Sequence, residues 1–259
     1  MAQLFHRSAN SLARMSLLAL LFFAASAGLV LAELQRSSYV TRQYEPRVQT
    51  PPFSHQHHVG GLGIDCRYCH TSVEQSSFAG IPPTKTCMNC HAQIWTSAPM
   101  LEPVRESYRN GKSLSWVRVH DLPDFVYFDH SIHVNKGIGC QSCHGQVDNM
   151  PLMLAQNSLQ MEWCLDCHRA PDKYIRPRTV QTEAVTDKNG RIVDEGLTKD
   201  DTIFDMKYAQ PSRDVTIYTR LSDGKVHAFN NQRAMGKVLM KEYHVRNVAE
   251  ITSCNTCHR

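Results

Sequence analysis

One pattern, Cys-x-x-Cys-His, occurs five times in the 259-residue chain and uses all ten of its cysteines. Such a pattern attaches haem covalently, because each cysteine sulfur forms a thioether with one vinyl group and the adjacent histidine ligates the iron. We therefore predict five covalently bound haem c groups. The predicted attachment residues are Cys66, Cys69, Cys87, Cys90, Cys140, Cys143, Cys164, Cys167, Cys254 and Cys257. The predicted proximal iron ligands are His70, His91, His144, His168 and His258.

Two other uses of closely spaced cysteines fit this pattern less well. A structural zinc site needs four soft ligands, but it gives no reason for a histidine after every second cysteine. A thioredoxin-like redox pair is expected once, at the start of a helix in a βαβ unit, and not five times. Both chemistries therefore rank below haem attachment.

The chain length limits how the haems can be buried. After the apolar N-terminal segment, roughly 45 residues remain for each predicted haem, too few for an ordinary protein core around each one. The sequence also has no long alternating strand pattern and no long amphipathic helix. We therefore predict a mostly irregular fold, with short α-helices around stacked haems and little β-structure.

An uncharged apolar run, residues 15–32, follows a short basic segment. As a helix it would reach about 27 Å, close to the ~30 Å thickness of the hydrocarbon layer. Arg7 and Arg14 favour a cytoplasmic location for residues 1–14, which would place the haem domain on the periplasmic side. We predict a single-pass anchor in the inner (cytoplasmic) membrane. A cleaved signal peptide is the alternative, because small residues near the end of the run resemble cleavage sites.

Residues 53–70 and 128–144 form an internal repeat. Both copies begin with Phe, contain two histidines three residues apart and end with the haem motif, and the first copy has one extra residue. A second haem motif follows each copy, which predicts two tandem dihaem modules in a tetrahaem domain, 53–170. Residues 33–52 are predicted to form a polar linker that lifts the first module off the membrane.

The repeated pattern Phe-x-His-x-x-His supplies candidate ligands for the opposite face of each iron. Histidines three residues apart lie on the same side of a helical turn, so they cannot ligate one iron from opposite faces. Each pair is therefore predicted to serve two neighbouring haems. His57 is predicted to be a non-ligand, because its counterpart in the second copy is Ile132. The predicted distal ligands are His55, His58, His130 and His133.

Two further histidines are candidates for the distal ligand of the fifth haem. His244 lies ten residues before Cys254, as His130 lies ten residues before Cys140. His120 lies just before the second module and is the other candidate. A methionine ligand would raise the potential of its haem, but most methionines fill gaps in cores.

Residues 171–243 contain no haem motif and mix 13 Lys or Arg with 11 Asp or Glu. The sequence predicts loops and a hairpin, then a short helix over 231–243. The segment has few large apolar residues, so we expect no core of its own. We therefore predict a haem-free docking segment that lies against the haem domain or a neighbouring subunit. Residues 244–259 are predicted to form the fifth haem site.

The repeat and the motifs that follow it resemble the class III multihaem cytochromes. The wider pattern closely resembles the pentahaem cytochrome subunit of alternative complex III, a bacterial quinol:electron-acceptor oxidoreductase. The resemblance rests on "GIDCRYCHTSVEQSSFAGIPPTKTCMNCH", "RVHDLPDFVYFDHSIHV" and "MEWCLDCHR". It implies that a polytopic membrane subunit oxidises quinol and that an iron-sulfur subunit passes the electrons on. This chain would then relay them to a monohaem cytochrome or a similar periplasmic acceptor.

The sequence favours an electron relay over two enzymatic alternatives, and it predicts no catalytic residue. A stand-alone membrane-anchored quinol dehydrogenase would usually begin its haem motifs nearer the anchor than Cys66. A pentahaem nitrite reductase would carry a Cys-x-x-Cys-Lys motif, which this sequence lacks. A nucleic-acid partner has no support, because the tetrahaem domain carries eight Lys or Arg against ten Asp or Glu, and haem propionates add negative charge.

Overall fold

The described part of the computed structural model, residues 6–181, 185–186, 192–193 and 198–258, consists mainly of short helices and irregular segments. Strands are few and short, and one long apolar helix lies near the N-terminus. The predicted fold class is therefore confirmed.

Each haem motif lies on a short helix or at its end. The α-helices are α1 (Ala9–Arg36), α2 (Ser38–Thr41), α3 (Cys66–Cys69), α4 (Thr84–His91), α5 (Glu102–Asn110), α6 (His130–Asn135), α7 (Cys140–His144), α8 (Met161–Arg169), α9 (Gln232–Glu242), α10 (Val248–Ile251) and α11 (Cys254–Cys257). Single turns of 3₁₀-helix occur at Pro99–Leu101, Val147–Asn149 and Pro171–Lys173, and a π-helical turn occurs at Gln56–Gly61.

Helix α1 is longer than the predicted anchor, and its length and composition suffice to cross a membrane. A signal sequence has the same features. No residue of α1 is buried in the described structure. Its C-terminal end is fastened to α8, because the Arg36 guanidinium lies 3.3 Å from the Glu162 carboxylate and the Gln160 amide donates to the Gln35 carbonyl at 2.7 Å. The apolar helix therefore leaves the domain beside the fourth haem motif.

The predicted linker, 33–52, lies along the second module. Gln43 forms a parallel bridge with Ala155, and its side-chain amide donates to a neighbouring carbonyl at 2.8 Å. The Gln49 side chain bonds both backbone groups of Val117, at 2.8 and 2.9 Å. This polar segment therefore contacts the haem domain, because these amides satisfy backbone groups of loops that have no regular partners.

The two copies of the repeat differ where the sequence has its extra residue. In the second copy the histidines lie on helix α6, whereas the first copy forms the π-helical turn Gln56–Gly61. A π-helical turn holds more residues than an α-helical turn. The extra residue is therefore taken up between the histidine pair and the haem motif that follows it.

The segment after the fourth motif forms a small β-structure with a helix packed on it. Its strands are β1 (Thr179–Gln181), β2 (Val185–Thr186), β3 (Ile192–Val193), β4 (Thr198–Asp200), β5 (Ile217–Arg220) and β6 (Val226–Phe229). Antiparallel pairing gives one sheet of order β4-β1-β5-β6 and a separate pair, β2-β3. The predicted hairpin lies partly outside the described residues, and the predicted helix is α9.

The same segment has a core, which corrects the expectation from its composition. Ile175, Val180, Ile217, Met235 and Leu239 are all buried and pack together. These side chains come from a loop, two strands and a helix, so no single stretch of sequence shows a strong apolar pattern. Tertiary contact assembles the core.

This core is joined to the haem domain, one of the two neighbours that the sequence left open. The backbone N–H of Arg176 donates to the Gly137 carbonyl at 2.8 Å, and Ile175 forms an antiparallel bridge with Ile138. The Lys136 ammonium donates to the Tyr243 carbonyl at 2.6 Å. The segment is therefore built onto the loop between the second histidine pair and the third haem motif.

We expect Leu239→Ala to destabilise this part of the chain by about 2–5 kcal/mol, because it removes a fully buried side chain and leaves a cavity. Chemical denaturation followed by circular dichroism measures the change. Leu62→Ala is the matched control, since Leu62 is 58% exposed. Equal stability of both variants would show that the Leu239 core contributes little.

Candidate haem-binding sites

Local hydrogen bonds place the residues of each motif on one helical turn. In the first motif the Asp65 carboxylate accepts from the backbone N–H of Arg67 at 2.8 Å and caps α3. The backbone N–H of His70 then donates to the Cys66 carbonyl at 2.8 Å. Cysteines three residues apart on such a turn point to the same side. Both thiols can therefore reach one edge of a porphyrin, with the histidine directly behind them.

Four of the five predicted proximal histidines are oriented by a backbone carbonyl. In each, the ring Nδ1 donates a hydrogen bond, which leaves Nε2 free to face a metal. The acceptors are Gly80 for His70 at 2.7 Å, Ile94 for His91 at 3.3 Å, Ile251 for His168 at 2.7 Å, and Phe125 for His258 at 3.1 Å. The fifth, His144, has a side chain as partner instead, the Nε2 of His120 at 3.3 Å.

Three of the predicted distal histidines are held in the same way. The acceptors are the carbonyls of Ser54 for His58 at 2.8 Å, Ser77 for His130 at 2.8 Å, and Asp129 for His133 at 2.7 Å. His55 differs, because its Nδ1 is buried and has no hydrogen-bond partner among the described residues. Fixed Nδ1 atoms are the arrangement that metal-ligating histidines require.

The predicted proximal and distal rings face each other in pairs. The ring centres are 6.3 Å apart for His58 and His91, 6.4 Å for His130 and His144, and 6.1 Å for His133 and His168. An iron held by two imidazole nitrogens at about 2 Å, with each ring centre about 1 Å behind its nitrogen, requires ring centres about 6 Å apart. The three pairs therefore fit bis-histidine haem.

His55 and His70 are the fourth pair of a distal and a proximal histidine that the repeat predicts. Each ring is partly buried, and they lie close enough that a charge on His70 would disfavour a charge on His55. His55 stands to the first motif as His130 stands to the third. The structure thus brings each predicted distal histidine next to a predicted proximal one.

Burial lowers the pKa of several of these imidazoles. His55 has a pKa of about 4, because burial disfavours its charged form and the nearby His70 and His58 add repulsion. Burial also lowers the pKa of His58, His133 and His144. A neutral imidazole keeps a nitrogen lone pair for a metal. These rings can therefore act as ligands at neutral pH without first losing a proton.

The thiols of Cys143 and Cys167 do not have the character of a redox dithiol. All ten cysteines are free in the structure. Burial raises the pKa of Cys143 to about 11 and that of Cys167 to about 12. A reactive dithiol has a lowered pKa, so that a thiolate is available to attack. The described environment of these two cysteines is the opposite of that.

Phenylalanine supplies a part of the site that the sequence reasoning missed. Phe53 lies edge-to-face with His55 at 4.9 Å and stacks on His58 at 4.5 Å. In the second copy Phe128 makes the same two contacts with His130 and His133, at 4.7 and 4.6 Å. The sequence signal for this role was a Phe at the same place in both copies of the repeat. Each Phe therefore acts as a clamp that sets the planes of two ligand rings.

The histidine predicted to be a non-ligand lies outside these pairs. His57 is exposed and stacks on Trp95, with ring centres 5.6 Å apart. It faces His58 only edge-on, at 5.3 Å. This placement agrees with the prediction from Ile132, although it does not test it.

The two candidates for the fifth distal ligand lie in different surroundings. His120 is partly buried against His144, with ring centres 4.3 Å apart. His244 is exposed, in a surface groove beside Val238 and Lys241. The ring beside His258 in the described structure is that of Phe125, at 5.8 Å, and neither candidate is placed against it.

Within each module, contacts tie two haem motifs together. The first and second motifs share the histidine pair of the first repeat, and the Asn89 amide donates to the Tyr68 hydroxyl at 3.0 Å between them. The third and fourth motifs share the pair on α6. Cys143 of the third motif also lies near Cys164 and Cys167 of the fourth.

Further contacts join the modules and the last motif. The thiols of Cys66 and Cys140 lie close together and pack against the same buried cluster, which includes Val134 and Ile203. The fourth motif meets the fifth where His168 donates to the carbonyl at the end of α10. The motifs therefore follow one path, in the order second, first, third, fourth and fifth. Cys90 and Cys254, at its two ends, are exposed, whereas the other eight cysteines are partly buried.

We expect His133→Ala to produce a new high-spin ferric signal in the electron paramagnetic resonance spectrum, because one haem loses its distal ligand. His57→Ala is the control and should leave the spectrum unchanged. If both variants gave the same high-spin signal, the alignment of the two repeats would be wrong.

We expect Phe128→Leu to keep the two irons predicted to bind His130 and His133 low-spin. Two low-spin ferric signals should change, because the planes of these two imidazoles lose the ring that holds them. Phe78→Leu is the control, since Phe78 is 57% exposed. An unchanged spectrum in the Phe128 variant would show that Phe128 does not hold the planes of these two imidazole rings.

Comparison with known proteins agrees with this geometry. Residues 126–189 match the family model "Cytochrome c7 and related cytochrome c". This range contains the second histidine pair and the third and fourth haem motifs.

A curated relative extends the similarity. The chain is 37% identical over 102 residues to "Menaquinone reductase, multiheme cytochrome c subunit" of Nitratidesulfovibrio vulgaris. The alignment covers 39% of this chain and 48% of that protein, so the chain spans about half the length of the relative it matches. These findings and the fold show that the chain carries a cytochrome c7-like multihaem cytochrome c domain.

Proposed function

We propose that this chain is a membrane-anchored pentahaem cytochrome c that relays electrons between a quinone-reactive membrane complex and a periplasmic acceptor. The observation that carries the proposal is the set of facing imidazole pairs, 6.1 to 6.4 Å apart, on motifs that follow one path. Each pair would supply two imidazole ligands to one iron. An iron held in this way can pass electrons, whereas a haem that binds substrate needs a free ligand position.

Haem c, when bound, supplies one-electron redox chemistry at its iron. The residues of the chain perform the remaining tasks. The ten cysteines would hold the groups by covalent bonds, and the predicted proximal and distal histidines would ligate the irons. Backbone carbonyls and two phenylalanine rings hold the imidazoles in their orientations. The chain itself thus acts as an electron-transfer subunit without a catalytic residue.

The attachment of α1 supports a proposal for which end of the row of haem motifs lies nearer the membrane. If α1 spans the bilayer, Arg36 lies near the periplasmic surface, and its ion pair with Glu162 holds the fourth motif there. The second motif is then the end of the path farther from the membrane. We therefore assign the fourth and fifth motifs to the exchange with membrane partners and the second motif to the periplasmic acceptor.

The resemblance to the alternative complex III subunit and the curated relative support the choice of partners. Both are multihaem cytochrome subunits of quinone-reactive enzymes, and the name of the curated relative states this for menaquinone. The proposed partners are a polytopic quinol-binding subunit and an iron-sulfur subunit in the inner membrane complex, with a monohaem cytochrome or similar protein as acceptor.

A second candidate function is a relay in the opposite direction, from a periplasmic donor into menaquinone. The relative's name, which states menaquinone reduction, favours it. The same residues would serve either direction, because the axial ligands and the path do not change. The potentials of the haems relative to the quinone decide between the two.

The native complex, purified from solubilised membranes, tests both candidates. Mixing the oxidised complex with menaquinol should reduce the haems if the first proposal holds. Mixing the reduced complex with menaquinone should oxidise them if the second holds. The isolated chain should do neither at a catalytic rate, and sustained quinol oxidation by it alone would favour the stand-alone quinol dehydrogenase instead.

We expect five haems per chain in a pyridine haemochrome assay calibrated against protein mass. Replacing both cysteines of the last motif, Cys254→Ala with Cys257→Ala, should lower the number to four, because each motif is predicted to attach one haem. A wild-type value of four or fewer, or zinc in metal analysis, would refute the pentahaem proposal.

A further inference from the structure

His144 differs from the other predicted proximal histidines in the group that orients it. Its Nδ1 lies 3.3 Å from Nε2 of His120, whereas the other four meet backbone carbonyls. The two rings are nearly perpendicular, at 79°, with centres 4.3 Å apart. The two nitrogens lie within hydrogen-bonding reach, and the short distance between ring centres shows that the bond is bent, with one ring edge towards the other.

This geometry does not suit two ligands of one iron. Ring centres at 4.3 Å are too close, because the facing pairs need about 6 Å. The iron position between His144 and His130 is already supplied by those two rings, which are parallel within 4°. The Nε2 of His120, the atom that would ligate a fifth iron, is engaged with His144.

The direction of the hydrogen bond follows from the tautomers. A histidine that ligates iron through Nε2 carries its proton on Nδ1. His144 is therefore the donor and Nε2 of His120 is the acceptor. His120 in turn carries its own proton on Nδ1. The acceptor is an imidazole nitrogen, which is more basic than a peptide carbonyl.

We infer that His120 is a positioning residue for the third haem motif, and not the distal ligand of the fifth haem. The inference rests on the proposed function, in which His144 ligates an iron. By accepting this bond, His120 fixes the plane of His144 parallel to that of His130. It also increases the electron donation of His144, which lowers the potential of that one haem relative to a variant without the bond.

With His120 assigned to the third motif, His244 is the remaining histidine candidate for the distal ligand of the fifth haem. The third motif lies in the middle of the path, so a change at His120 acts on an interior haem and leaves both exposed ends untouched.

The test compares His120→Leu with His120→Gln in the full-length, haem-loaded chain. Leucine removes the acceptor, while the glutamine amide oxygen accepts a hydrogen bond but is a poor ligand for haem iron. We expect the Leu variant to keep every haem low-spin, to change one ferric low-spin resonance signal, and to raise the midpoint potential of one haem. The Gln variant should keep the wild-type low-spin signal and give a midpoint potential between those of the wild type and the Leu variant, because its amide oxygen is a weaker acceptor than an imidazole nitrogen. His227→Leu, at a surface histidine paired with Asp223, is the control and should change nothing.

Two outcomes would overturn the inference. New high-spin ferric signal in both His120 variants would identify His120 as an iron ligand. An unchanged spectrum and potential in the Leu variant would show that the contact has no influence on a haem. If the Leu variant does not fold, the Gln variant alone decides, since high-spin iron contradicts the inference, whereas low-spin iron with a raised midpoint potential of one haem supports it. The haem count of the wild-type chain separates failure of the proposed function from failure at His120.

Discussion

The described structure depends on imidazole rings that face each other in pairs, with centres 6.1 to 6.4 Å apart. Each ring is fixed through its Nδ1, so the opposite nitrogen points into the space between the two rings. Short helices suffice for this purpose, because a single turn carries two thiols and a ligand. A chain with few residues per haem can therefore be mostly irregular and still hold its functional groups accurately.

The two repeats show which features of the module the geometry needs. Phe53 and Phe128 make the same edge-to-face and stacked contacts with their histidine pairs, although the backbone beneath them differs. The π-helical turn of the first copy takes up one residue without altering those contacts. Ring orientation is therefore maintained in both copies while the local helix type changes.

The haem-free segment adds rigidity at the middle of the path. Arg176 is only 4% exposed, and its guanidinium donates to the Gln141 side chain and to the carbonyls of Thr202 and Asp205. It also lies over the ring of Tyr208. Burying a charge is costly, and these contacts offset part of the cost. They bind the sheet to the helix of the third motif, beside the junction of the two modules.

The sequence by itself determined the five motifs and the repeated histidine pair, and it predicts the attachment cysteines and iron ligands from them, because covalent attachment and a shared helical turn require residues close together in the chain. It also predicted the short helices and the apolar N-terminal helix. Only the tertiary structure decided which residues distant in the chain meet. Examples are the contact of His120 with His144, the contact of Cys66 with Cys140, and the core around Leu239. Each of these joins separate segments, and no local spacing or periodicity records which segments meet. The order of the motifs along the path therefore followed from packing between modules, whereas their chemistry followed from the residues alone.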